Sequence, residues 1–132
     1  MIKPGSETDA LIGLNDLMAT WADIAGIELS DKQAPDSVSF LAVLKDSLKS
    51  SRISLVTRGT RSDAFRDGDW KLILGNGSGG RQQPKGKPFA KPYILSNIRA
   101  DQAETKNHSE TESKIASRLE AAFVKIQKNE RK

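Results

Sequence analysis

Gly75-Asn76-Gly77-Ser78-Gly79-Gly80 satisfies G-x-G-x-x-G directly after an apolar run, a spacing that lets backbone amides close on a pyrophosphate. That chemistry also needs a helix N-terminus at the end of the loop, whereas Arg81-Gln82-Gln83-Pro84 leads into more Pro and Gly. We therefore read these glycines as loop residues. Gly86-Lys87 has the tail of a phosphate loop, but Arg81 occupies the upstream glycine position and Pro88 that of the magnesium-holding Ser/Thr. Ser78 has Asn76 where a nucleophile elbow needs its first glycine, and no strand-turn-helix follows to expose it. Asp67 and Asp69 bracket Gly68 and could hold a cation, yet in a tight turn their expected task is turn chemistry. Lys85, Lys87 and Lys91 interleave with Phe89 and Tyr93 in the manner of a single-strand path. Two rings do not make a stacking platform, and a solvated loop is the expectation.

Cysteine is absent and His108 is the only histidine, which excludes thiolate catalysis, disulfide frameworks and Cys/His zinc sites, and strains any serine triad. His108 has no acidic or cysteine partner at ligand spacing and reads as a surface polar residue. Asn76-Gly77-Ser78 and Asn107-His108-Ser109 match glycosylation acceptors, a pattern that matters only in an exported eukaryotic protein. No residue is thus assigned to catalysis or to a metal.

Elements must position whatever remains. The chain has 132 residues, 36% of them hydrophobic and 29% charged, enough for one ordinary domain. No apolar run approaches the ~18 residues of a membrane span, and Lys3, Glu7 and Asp9 interrupt the first ten positions where a signal peptide has an apolar core. We expect no membrane partner and no export signal in this stretch. The net charge of +4 is unevenly spread. Residues 1–51 hold four Lys/Arg against eight Asp/Glu, 52–99 hold ten against three, and 100–132 hold seven against six. A basic middle third can steer an anionic ligand, dock on an acidic protein, or simply be a solvated face.

Leu17, Met18, Trp21, Ile24 and Ala25 recur at helical spacing between Leu14 and Ala25, with Asn15 or Asp16 to cap the start and Gly26 to stop it. A second helix is expected over 37–48, capped by Ser39, with Phe40, Leu41, Val43, Leu44 and Leu48 as its apolar band. Strand periodicity follows in Ile53–Val56, Ala64–Phe65 and Trp70–Leu74, with Asp67-Gly68 as a two-residue hairpin turn. Residues 75–92 read as a flexible loop, and Tyr93–Ile98 as a last short strand. Ser109 and Glu112 form a capping box for a helix whose apolar face is Ile115, Ala116, Leu119, Ala122, Phe123 and Ile126. Trp21 and Trp70 are most simply core. The expected fold class is α+β, a small antiparallel β-sheet packed with a C-terminal amphipathic helix and preceded by one or two helices.

Four stretches, taken in order, resemble the C-terminal part of the type I sulfatases of the arylsulfatase kind. Residues 15–27 are similar to the family's D-L-x-x-T-x-x-x-x-A-G helix, with Ile2-Lys3-Pro4-Gly5 like the turn ahead of it. Asp36-Ser37-Val38-Ser39-Phe40-Leu41 resembles the D-S-x-S-x-L segment. Phe65–Ile73 looks like the R-x-G-x-W-K-L hairpin, and residues 97–107, following Leu95 and Ser96, resemble the L-Y-N-L-x-x-D-x-x-E-x-x-N turn. Three departures stand out. Arg58 replaces a frequent histidine, Ser96 replaces the tyrosine and loses its packing, and Ala42 replaces a common proline.

The resemblance implies that 1–50 is a helical segment from the end of the catalytic domain and 51–132 a sheet-plus-helix subdomain, both packing on a large α/β domain not contained here. It implies sulfate-ester hydrolysis by a formylglycine made within C/S-x-P-S-R, with calcium held by Asp and Asn, and a sulfated anionic substrate. This sequence has no C/S-x-P-S-R and no such acidic cluster, so formylglycine and calcium would belong to the other part and the chain is expected to be inactive alone. Arg58, Arg61 and Arg81 are candidates for a rim along the substrate's approach. The family is usually periplasmic or secreted. The first helix should then expose Leu17, Met18 or Trp21, meant for the catalytic domain. A reading of a different class stays open: an independent basic module, residues 52–99, binding nucleic acid or an acidic polysaccharide.

Overall fold

The computed structural model describes residues 2–30, 32–46, 48–60, 62–78 and 81–130, which divide into two compact units, Met1–Leu55 and Val56–Lys132. The first unit holds helices α1, Asp16–Ala25, and α2, Leu41–Lys45. α1 ends as its sequence dictates. Gly26 adopts the left-handed φ of 67° that a side chain disfavours, its amide donates to Asp23 O, and the Ile27 amide donates to Ala22 O at 2.9 Å. Its start differs from expectation, because Asn15 sits at the cap position without capping and gives its side-chain amide to Asp36 O. The first turn is served from outside instead, by the Ser37 hydroxyl accepting from the Ala19 amide at 2.9 Å.

α2 is only five residues long and stops well before Leu48, which is 93% exposed. Asp46 turns extended, and its carboxylate accepts the Leu48 amide, a local bond that competes with continued helix. Ser39 accepts the Leu41 amide as the expected cap would, one position outside the cap itself.

Strand β1, Ser54–Thr57, leads into the second unit, where β2, Ala64–Asp67, β3, Trp70–Ile73, and β4, Ile94–Asn97, complete a sheet in the order β1-β2-β3-β4. β2 and β4 both run antiparallel to β3, aligning Phe65 with Leu72 and Leu72 with Leu95. Alternation puts these three residues on one face, and helix α3, Ser113–Glu130, covers it with Leu119 and Phe123. Trp70 packs at the edge of this core as expected. The α+β class is therefore the observed one.

Two local details differ from the sequence expectation. Pairing of Asp67 with Trp70 makes the hairpin turn Gly68-Asp69, one residue later, with Gly68 at φ 57°. The Asp67 side chain is thereby released from turn duty and bonds the Arg118 guanidinium of α3. The last helix starts at Ser113, four residues beyond Ser109. Asn107 takes the amides of Ser109 and Leu95 on one oxygen, both at 3.0 Å, and His108 gives its amide to Leu95 O. Those bonds also occupy the outer edge of β4, which would otherwise offer itself to another chain.

Residues 74–93 fold back on themselves. Phe89 donates to Leu74 O, Lys87 to the Asn76 side chain and Ser78 to Pro84 O. Gly77 and Gly86 cross so closely that a Cβ on Gly77 would stand 2.4 Å from Gly86 N. Gly77 thus serves a close approach of two backbones, and no helix begins within 81–93.

Candidate functional site

The first unit is organised around a buried charge. Asp16 is fully buried, and its carboxylate accepts the Gly13 amide at 2.7 Å, the Val38 amide at 2.9 Å and the Arg52 guanidinium. Burial pushes its pKa up, but the two amide bonds and the Arg52 charge outweigh that and hold the carboxyl below its ordinary value. Arg52 also donates to Asp36 O at 2.8 Å. One turn along α1, the buried Thr20 hydroxyl donates to Asp16 O and accepts the Phe40 amide. In the sequence Asp16 shows only as a cap, and a charge pair 36 residues apart leaves no local pattern to mark Arg52.

This arrangement turns α1 inside out. Its buried residues are Asp16 and Thr20, while Leu17, Met18, Trp21 and Ile24 are 38%, 54%, 63% and 51% exposed. Leu14 just before the helix is 88% exposed and Ile27 just after it 61%. A surface helix ordinarily does the reverse, facing its apolar stripe inward. Trp21 is therefore not core, and the exposure expected from the sulfatase resemblance is what is observed.

The other motif positions also serve as ties. Ser39 donates to Asp23 at 2.6 Å, Asn97 takes the Ala100 amide, and Asp101 takes the Lys106 amide and the Thr105 hydroxyl. Glu104 pairs with Lys71 at 2.6 Å. Ser96, standing in for tyrosine, is buried with its hydroxyl unbonded. His108 is half-buried, not a free surface residue, and meets Trp70 edge-on at 5.7 Å between ring centres. Among the described residues no group of three or more His, Asp or Glu could share a metal ion.

The basic residues distribute unevenly. Arg58, just after β1, bonds Asp63 at 3.2 Å with its side chain 55% exposed. Arg81 is exposed in the β3–β4 loop, and Arg61 lies outside the described residues. Lys91 is engaged by Glu120 at 3.0 Å, and its ammonium lies over the Tyr93 ring, 5.2 Å from the ring centre. No helix is long and apolar enough to cross a membrane among the described residues.

No family model and no curated protein sequence matches the chain. Solved structures do. BT3333, a 6S-sulfatase of Bacteroides thetaiotaomicron described with metabolism of multiple glycosaminoglycans, superposes on 96% of this chain with a TM-score of 0.77 and 23% identity. BT4656, solved in complex with its substrate D-glucosamine-2-N,6-O-disulfate, superposes on 96% with a TM-score of 0.68 and 21% identity. The chain has the fold of a sulfatase segment. A third sulfatase structure, Ps i-CgsB, superposes on 83% with a TM-score of 0.60 and 20% identity. This chain spans only 27%, 26% and 23% of those three chains respectively.

Proposed function

We propose that this chain is the C-terminal segment of an arylsulfatase-like sulfuric ester hydrolase, a structural support for a catalytic portion and not a catalyst alone. The observation that carries the reading is α1, a helix whose apolar stripe faces outward in a chain spanning about a quarter of the sulfatase structures it matches. Burying Leu17, Met18, Trp21 and Ile24 against a catalytic portion would remove them from water, at roughly 25 cal/mol per Å² of apolar surface. Formylglycine and calcium do not fit this chain's residues. It has neither C/S-x-P-S-R nor a cluster of metal-binding side chains among the described residues, so no catalytic step is assigned to it. Division of the chain near residue 55 is in keeping with a helical segment ending the catalytic domain and a sheet-plus-helix subdomain after it.

Arg58, Arg61 and Arg81 are proposed for the approach of a sulfated substrate, where fixed cations raise the local concentration of an anion. The disulfated sugar held by BT4656 supports that substrate class. Reading the coding DNA ahead of the Met1 codon tests the assignment. An open frame continuing upstream to C/S-x-P-S-R is the expected result. A stop codon in that frame, with no neighbouring gene that carries the motif, would contradict it.

A further inference from the structure

Asn76-Gly77 in the β3–β4 loop is the chain's only Asn-Gly step. In such a step the glycine amide nitrogen can attack the asparagine side-chain carbonyl, because the following residue has no side chain to hinder the approach. The bond from Gly77 N to Asn76 Cγ forms as the amide gives its proton to a base of the solvent. The Cγ–Nδ2 bond then breaks, and the nitrogen leaves as ammonia with a proton taken from water. Water opens the resulting cyclic imide at either carbonyl, leaving an aspartate or an isoaspartyl linkage at position 76.

The folded loop works against the first of these steps. Asn76 is exposed, but its Oδ1 accepts the Lys87 amide at 2.7 Å, which ties the side chain to the opposite arm of the loop. Gly77 is buried, so a solvent base reaches its amide when the loop opens. The two backbones meet here without slack, since a Cβ on Gly77 would stand 2.4 Å from Gly86 N and one on Gly86 would stand 2.4 Å from Gly77 N. Ties on either side hold the crossing in place. Gly75 bridges to Pro88, and the Ser78 amide donates to Pro84 O at 2.9 Å. Attack needs the reacting atoms close and aligned, and neither the carbonyl held by Lys87 nor the nitrogen held at the crossing is free to turn toward the other.

We infer that Asn76 is a latent deamidation site, guarded by the closed β3–β4 loop, whose isoaspartyl product keeps the loop from closing again. Opening releases the Lys87 bond and the Gly77–Gly86 crossing together and lets the imide form. An isoaspartyl linkage then routes the main chain through the side-chain methylene, which lengthens it just ahead of Gly77 and displaces that residue from a crossing with no room to spare. The ordinary aspartate product has a different outcome, because its carboxylate keeps an acceptor oxygen for the Lys87 amide. The isoaspartyl linkage is thus a one-way record that the loop has opened.

The full chain is incubated in mildly alkaline buffer, folded and in guanidinium chloride, and peptides spanning position 76 are followed by mass spectrometry for conversion of the amide to an acid. Deamidation should be at least about tenfold slower in the folded chain, because it proceeds through the opened loop. Gly86→Ala sets a Cβ against Gly77 N at a left-handed φ of 65°. It should raise the folded-state rate toward that in denaturant while amides of β2 and β3 keep their protection from exchange. The isoaspartyl fraction, separated by chromatography, should exchange rapidly at Ser78 and Lys87, whereas Asn76→Asp should exchange as slowly as the wild type. Equal rates in the folded and unfolded wild type, an unchanged rate in Gly86→Ala, or wild-type exchange in the isoaspartyl fraction would each overturn the inference.

Discussion

Asp16 is where a single residue matters most in the first unit. Its carboxylate joins Gly13, Val38 and Arg52, so an asparagine there keeps one acceptor oxygen but removes the charge facing the guanidinium and sets an amide donor against a donor. Asp16→Asn should cost about 3 kcal/mol in a denaturant melt, because the cost of breaking a buried pair is dominated by the charge left behind. The same group sets an acid limit. Its folded pKa lies below the unfolded value, so the unfolded chain binds the extra proton and the stabilisation is present above about pH 4 and lost as pH falls through the folded value. Melts from pH 6 to pH 2 should show a smaller loss in Asp16→Asn than in the wild type, what remains including that of Asp101, whose carboxyl the Lys106 amide also holds below its ordinary value. Ser96→Ala makes the opposite case, since the hydroxyl it removes is buried and unbonded. Unchanged or raised stability is expected, and a loss greater than about 1 kcal/mol would mean that the hydroxyl has a partner.

At the scale of elements, legibility followed the range of the interactions. α1, the β2–β3 hairpin and α3 were readable because periodicity and turn chemistry are local, and their errors were of one to four residues. α2 was overextended because Asp46 stops it by a bond to its own neighbour, which an apolar count does not register. Asn107 was missed as the tie ahead of α3 because its acceptor serves β4, twelve residues back, as well as Ser109. The β3–β4 loop was the least readable. Its course depends on the Gly77–Gly86 crossing, a contact between backbones that side-chain pattern does not encode. Gly77→Ala would drive a Cβ into Gly86 N, Lys85 C and Pro84 O, all backbone atoms that cannot swing aside. Hydrogen exchange at Ser78, Lys87 and Phe89 should accelerate in that variant while amides of β2 and β3 keep their protection. Unchanged protection at Lys87 would show that the loop closes without the crossing.

For the molecule as a whole, the family resemblance was legible in motif order, yet what the motif residues do was not. The D-L-x-x-T spacing reads as an amphipathic helix start, and only the structure shows its polar side turned in and its apolar side out. Periodicity reports that a helix has two faces and is silent about which one the fold covers, since that depends on Arg52 and Val38 far along the chain. The bare apolar stripe of α1 is the feature on which the proposed function rests. The most direct measurement is sedimentation of the chain with a hydrophobic dye present, comparing wild type with Met18→Gln/Trp21→Gln. The account predicts dye binding and self-association in the wild type, and a monodisperse, dye-silent variant with the wild-type melting temperature. A monodisperse wild type that ignores the dye, or a variant that melts far lower because the stripe is core, would contradict it.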